Sequence, residues 1–387
     1  MKANFSIACP GRTVCDNHAR VFAGHGLLAS YFCGTQRGTA GIPGELTYLN
    51  PLFGYWMMGT RRVFSPYRAE WLRSAAHPLF DRWVRSNLAP GNHLLTSYGY
   101  APSSMKWVKK HGGLTFIDAG NSHPAQFWEI VSEEHRRWKV NLPPYPPHWN
   151  RLGRESVDLA DYVFSPSSYV SDSFLTRGFS RSRIIDLPYP IDLHIFQPPA
   201  NAKETVDGDR LNVICTGSVS LRKGVPYLLE AIRIVQKDRP VTLHLMENVE
   251  SSMKNILPAY SDVEIEWHAG RNRDSLPELL KTCDVFALLS LEDGFALTVA
   301  EALSCGLTAV VSENTGAKDL ISPSVNGEVV PIRDPIAAAA AILRCHDRLI
   351  EVGPPPVVDL QKQLAFPAFE AGLVESLEKA GIIPRLS

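Results

Sequence analysis

The sequence predicts an α/β protein made of two domains, each a parallel sheet covered by helices. Three observations carry this. Short apolar runs of strand length alternate with segments of helical periodicity through both halves of the chain. At 387 residues the chain is longer than one ordinary core sustains. QPPANAKETVDGD, residues 197–209, holds prolines and charges but almost no large apolar side chain, as an interdomain linker does. The expected division is a first domain over 1–197, a linker over 198–209 and a second domain over 210–364.

In chain order, Phe5–Cys9 reads as a strand and Pro10-Gly11-Arg12-Thr13 as a turn feeding a helix near His18–Ala23. This places Gly11 and Arg12 where a ligand would meet the backbone, although strand, glycine and helix often follow one another without one. Leu27–Cys33 is a second strand. Residues 48–85 interleave arginines with aromatics, among them Tyr48, Tyr55, Trp56, Arg61, Arg62, Phe64, Trp83 and Arg85. Such a stretch suits membrane headgroups, or else amphipathic helices with their aromatics packed inward. His93–Ser97 and Leu114–Ile117 are buried strands around a helix at Met105–His111. At the carboxyl end of the latter, DAGNSHP gathers polar residues, so His123 is a candidate site residue. A helix at Gln126–Trp138 precedes LPPYPPHW, 142–149, which reads as an irregular loop. Val163–Ser165 and Arg183–Leu187 are further strands.

The second half opens with a strand at Leu211–Thr216. There follow Gly217-Ser218-Val219-Ser220-Leu221-Arg222-Lys223-Gly224 and a helix over Pro226–Gln236. Glycines permit close backbone approach, and Arg222 and Lys223 offer cations to a diphosphate. The loop is neither a Walker A motif nor a GxGxxG fingerprint. Val241–Leu245 and Val263–Trp267 are strands and Leu276–Thr282 a helix. Val285–Ser290 is a strand that ends in the acidic turn Leu291-Glu292-Asp293-Gly294. A helix starts near Thr298, stops at Gly306, and gives way to a strand at Thr308–Val311. In this βαβ unit the loop stands at a strand's carboxyl end and runs into a helix N-terminus, whose free N–H groups favour phosphate. Asp293 before the helix and Glu301 within it could meet one ligand, which suits a sugar nucleotide.

Composition is that of an ordinary globular protein, 45% hydrophobic and 20% charged. Seven cysteines are scattered singly without a CxxC pair, pointing to reduced thiols in a cytosolic protein and to neither a zinc site nor disulfides. No signal peptide or apolar run of transmembrane length is evident. The net charge of −1 hides an asymmetry. Residues 1–200 carry 21 Lys and Arg against 14 Asp and Glu, or +7, and the remainder 18 against 26, or −8. A basic half is consistent with an anionic membrane face or a phosphorylated acceptor, or simply with a solvated surface. Nothing in it calls for nucleic acid.

GSVSLRKG at 217–224 and DGFALTVAEALSCG at 293–306 together resemble the two signature segments of retaining glycosyltransferase family 4, of the GT-B fold. Ser122-His123, ADYVFSPSSYV from Ala160 and PYPIDLHIF from Pro188 are similar to supporting segments of that family. The resemblance implies two Rossmann-like domains facing across a cleft, a C-terminal helix over about 365–387 returning to the first domain, and a nucleotide sugar held mainly by the second. It implies that Lys223 binds the donor diphosphate and Glu301 the ribose hydroxyls. By the same resemblance Asp293 would stand at the first acid of the family's E-x7-E motif, facing the donor sugar. By that resemblance too, the backbone of Phe295, Ala296, Leu297 and Thr298 would meet sugar hydroxyls and phosphate, and His123 would approach the transferred sugar.

Two positions depart from the pattern. Ser218 stands where the family often has arginine, with Arg222 available to share the clamp, and the first acid is Asp293 preceded by Glu292, so either carboxylate is a candidate to face the sugar. No metal cofactor is implied, because cations and helix ends can stabilise the departing diphosphate. The expected activity is retaining transfer from a nucleotide sugar to a glycan, lipid-linked or small-molecule acceptor, at the cytoplasmic membrane face if the basic half engages lipid. A GT-B phosphorylase, a nucleotide-sugar epimerase and a non-catalytic sugar-nucleotide binder share the same features.

Overall fold

The computed structural model describes residues 4–11, 14–35, 39–56, 66–140, 147–198, 210–269 and 275–385. Within them lie two all-parallel sheets. The first has seven strands in the order β3-β2-β1-β4-β5-β6-β7. These are β1 (Phe5–Cys9), β2 (Leu28–Cys33), β3 (Thr47–Leu49), β4 (His93–Thr96), β5 (Thr115–Asp118), β6 (Tyr162–Ser165) and β7 (Ile184–Asp186). The second has six in the order β10-β9-β8-β11-β12-β13. Its strands are β8 (Leu211–Cys215), β9 (Val241–Met246), β10 (Ile265–His268), β11 (Val285–Leu288), β12 (Thr308–Ser312) and β13 (Gly327–Val330).

Central strands such as β1, β11 and β12 are buried at every residue, as parallel strands covered on both faces must be. Both sheets reverse direction at their first strand, between β1 and β4 and between β8 and β11. Those two switch points are where open α/β sheets bind ligands, and they place the loops after β1, β8 and β11 at ligand-binding positions.

Each sheet has its own core. Phe5, Ile7, Leu95, Phe116 and Phe164 pack on one face of the first sheet, and Phe32, Phe80, Leu94, Ile117 and Phe174 on the other. The C-terminal helix Phe366–Lys379 inserts Phe369, Leu373 and Leu377 into the former cluster, although it follows the second domain in sequence. Tyr189, Ile191 and Phe196, on the segment leaving the first domain, pack instead into the core of the second. Residues 199–209 of the expected linker lie outside the described residues, as do Arg12, Arg61, Arg62 and Phe64.

Four elements differ from the sequence reading. The proline-rich stretch is no loop at its end: Pro147 opens a helix, Pro147–Leu159, at a first-turn position where a missing N–H costs nothing. β3 and β13 are edge strands of three and four residues, both partly exposed and too short to show a pattern. The helix Pro335–Val352, capped by Asp334, has an alanine-rich first half whose small side chains blur helical periodicity.

Candidate active site

The loop after β11 is the meeting point of the two domains. Glu292 is wholly buried and accepts hydrogen bonds from the backbone N–H and the hydroxyl of Ser122, each at 2.9 Å, across the domain boundary. The Arg222 guanidinium donates to the Glu292 carbonyl at 2.8 Å and stands 3.4 Å from its carboxylate. Burial raises the Glu292 carboxyl pKa above its ordinary value, with Arg222 opposing. Asp293, next in the chain, turns the other way and pairs with the Lys223 ammonium. Burial pushes the Asp293 carboxyl up too, but Lys223 and Arg222 outweigh it and hold the carboxyl below the usual range. Asp293 also accepts the backbone N–H of Ala296.

Why the chain folds this way locally is visible in its glycines. Gly224 has φ +67° and a Cβ there would stand 1.8 Å from the Leu289 carbonyl, so only glycine lets the 217–224 loop lie against β11's end. A Cβ on Gly294 would come within 2.2 Å of the Gly120 carbonyl, which means that the two domains touch backbone to backbone here. Ser167 Oγ adds a 2.6 Å bond to the Gly294 carbonyl, and Ser168 N–H and Oγ both donate to Asp319. Ala296 then turns with φ 58°, a left-handed conformation costly for a side-chain residue, and starts the helix Leu297–Ser304.

Leu297, Thr298 and Glu301 of that helix form one wall of a cleft of about 1060 Å³. Opposite them are Asp16, Asn17 and Arg20 of the helix Cys15–Gly24, with the crossing segment Pro190–His194 and Phe366 between. The loop after β9 closes on the phosphate-loop candidate as well. Val219 pairs with Val249, and Glu250 stands beside Ser218, Arg222 and Lys223. Burial raises the Glu250 pKa, with Arg222, Ser218 and Lys223 opposing.

The site residues expected from the sequence are not all brought to one place. Lys223, Arg222, Asp293 and Ala296 come together, Leu297, Thr298 and Glu301 face the cleft next to them, and the Phe295 ring packs edge-on against Tyr189. Gly217, with φ +110°, and Ser218, whose hydroxyl is 3.3 Å from that of Ser220, lie on the Lys223 loop. Gly11 has open space where a Cβ would be, and Arg12 lies outside the described residues. The His123 ring makes contacts within the first domain. Its Nδ1 accepts the Ala125 N–H at 3.2 Å as cap of the helix Pro124–Arg137, and its ring packs edge-on against Phe174.

Glu250 and the Asp16-Asn17-Arg20 wall were missed by sequence reasoning. The strand-end rule applied to β8 and β11 would have found Glu250 after β9. In the 48–85 stretch, Tyr48, Tyr55 and Trp56 are exposed together with the neighbouring Leu52, whereas Phe53, a further aromatic of that stretch, is buried. No described helix is long and apolar enough to cross a membrane.

Residues 197–347 match the family described as glycosyl transferases group 1. An α-(1→4)-mannosyltransferase of Mycolicibacterium hassiacum is 27% identical over 174 residues, covering 44% of this chain and 41% of that protein. A D-inositol 3-phosphate glycosyltransferase of Xylanimonas cellulosilytica is 25% identical over 218 residues, 50% of each. This chain thus spans about half the length, or less, of these curated relatives. The structure of the Anabaena protein HepE in complex with UDP and glucose superposes with a TM-score of 0.65 over 98% of this chain and 100% of that one, at 14% identity. The fold is GT-B. Its two Rossmann-like sheets and the cleft between them agree with the architecture expected from the sequence.

Proposed function

We propose that this chain is a retaining glycosyltransferase of the family 4 kind, which takes a sugar from a nucleotide-diphosphate donor and passes it to a glycan, lipid-linked or small-molecule acceptor. The observation that carries the reading is the nearly buried Lys223–Asp293 pair at the start of the Glu301 helix, its side chains 14% and 10% exposed. An ammonium held by a single carboxylate has donors left for a diphosphate, and Arg222 adds a second cation nearby. The relatives that match are glycosyltransferases by name, and HepE was solved with UDP and glucose, which supports a sugar-nucleotide donor.

In this reading the ribose hydroxyls donate to Glu301 and the diphosphate lies along Lys223 and the Leu297–Thr298 backbone. The sugar's C1–O bond to the diphosphate breaks as positive character grows at C1. Lys223, Arg222 and the helix N-terminus stabilise the negative charge developing on the leaving group, which needs no metal ion. Retention follows if the acceptor hydroxyl attacks from the face the diphosphate leaves, giving its proton to a diphosphate oxygen. Asp293 orients Lys223 and faces the sugar, and His123, at the end of β5, bounds the sugar from the first domain. The basic first domain and the exposed Tyr48, Leu52, Tyr55 and Trp56 support reversible contact with an anionic bilayer on the cytoplasmic side, where a lipid-linked acceptor would be presented.

The test is a panel of nucleotide sugars incubated with candidate acceptors, followed by nucleoside diphosphate release and by the anomeric configuration of the product. Acceptor-dependent release with the donor's configuration kept supports the reading. Release that requires inorganic phosphate, or donor turnover with no acceptor, replaces it with a phosphorylase or an epimerase.

A further inference from the structure

The outer edge of the second sheet carries a side-chain cluster outside the proposed transfer site. β9 and β10 run parallel with Glu266 directly opposite His244, and His268 follows two residues later, so all three side chains share one face. His244 Nδ1 is 3.0 Å from His268 Nε2. Glu266 spans the pair, with one carboxylate oxygen 3.5 Å from His244 Nδ1 and the other 3.5 Å from His268 Nε2. Both imidazoles are buried while the carboxylate side chain is 58% exposed. Asn212 on β8 settles which nitrogen of His244 carries its proton. The Asn212 amide NH2 faces the Asp284 carboxylate at 3.4 Å, so its oxygen, 3.2 Å from His244 Nε2, accepts that ring's N–H. His244 Nδ1 therefore presents a lone pair towards His268 and Glu266.

We propose that His244, Glu266 and His268 bind one divalent transition-metal ion of the zinc class. Ligand atoms about 2.0–2.2 Å from a common ion stand roughly 2.9–3.5 Å apart in octahedral to tetrahedral arrangements, which is the size of this triangle. Two imidazoles and one carboxylate are a borderline-soft donor set suited to zinc, cobalt or nickel, whereas calcium and magnesium prefer sites made of oxygens. Asn212 supplies the outer hydrogen bond that orients a metal-binding histidine. Binding takes His268 as its other tautomer, the proton that Nε2 shared with His244 passing through solvent to Nδ1, and the exposed flank of Glu266 leaves room for water in the remaining positions. The ion fastens β10, the last strand on its side of the sheet, to β9. None of the three ligands lines the cleft, so the role is structural.

The full chain, stripped with a chelator, is titrated with Zn²⁺ by calorimetry and with Co²⁺ by visible absorption. One Zn²⁺ per chain, a melting temperature that rises with Zn²⁺, and a Co²⁺ spectrum with ligand-field bands but no thiolate charge-transfer band are expected. Glu266→Gln, on the exposed side, weakens binding by more than about tenfold, Asn212→Ala by about tenfold, and His268→Ala abolishes it. Should His268→Ala fail to fold, Glu266→Gln and the spectrum still decide. The proposal is overturned by an absence of saturable binding, by parental affinity in Glu266→Gln, or by a thiolate band that puts the ion on the cysteines.

Discussion

Glu292 and Asp293 are consecutive carboxylates with opposite pKa shifts, and the contrast assigns them different tasks. Glu292, raised by burial and bonded to Ser122, ties the domains together, while Asp293, held ionised by Lys223, belongs to the proposed donor site. Asp293→Asn is expected to cut the transfer rate while nucleoside diphosphate affinity stays nearly unchanged. A parental rate in that variant, with earlier melting of Asp293→Ala, would leave only the bond to Ala296 as its role. Glu301→Gln should instead weaken nucleotide binding, which calorimetry reads directly. His123 gives a pH signature. Burial first, then Arg177 and Arg154, lowers its pKa from 6.5 to about 4. Between those values the unfolded chain binds more protons than the folded one, so stability rises with pH through the window and is complete above it. Protonation also removes the Nδ1 lone pair that caps the helix at Ala125. His123→Asn keeps a cap that does not titrate, and urea unfolding from pH 4 to 7 should show a shallower acid loss than the parent. Equal slopes would contradict the assignment.

At the scale of elements, the 217–224 loop depends on Gly224. Gly224→Ala puts a side chain into the Leu289 carbonyl and into a left-handed backbone, and is expected to lower stability by more than about 1 kcal/mol, measured by denaturant unfolding. An unchanged midpoint would mean that the loop relaxes freely. The loop and the βαβ unit from Val285 to Ser312 were legible in the sequence because their signals are local: apolar strand, glycine, cation or acid, then helix. β3 and β13 were not, since a short, partly exposed edge strand carries no alternation to read. Nor was Ser122's bond to Glu292, whose partners are 170 residues apart and meet only through the packing of two sheets. His123 was found as a residue at a strand end, but its capping geometry depends on the helix that begins beside it.

For the whole molecule, two of the contacts between the domains centre on buried carboxylates. One is the Gly120–Gly294 and Ser122–Glu292 junction beside Lys223. The other is Glu134 of the first domain, wholly buried, which accepts from Tyr227 at 2.6 Å, Trp138 at 2.8 Å and Arg333 at 2.8 Å. Tyr227 and Arg333 come from the second domain, so Arg333→Ala strands a buried carboxylate at the interface. The expected loss is roughly 3 kcal/mol, with faster hydrogen exchange at the helix Pro124–Arg137 and at residues 225–235. Unaltered exchange there would show that the contact does not hold the domains. Because the junction closes over the Lys223–Asp293 pair, donor binding is expected to require the domains to part and close again. The measurement that bears most directly on the account is calorimetry of Lys223→Ala with a nucleoside and with its diphosphate. Loss of about 1.5–3 kcal/mol for the diphosphate and almost none for the nucleoside is the predicted result. Equal losses for both ligands would contradict the diphosphate role of Lys223 and, with it, the proposed donor site.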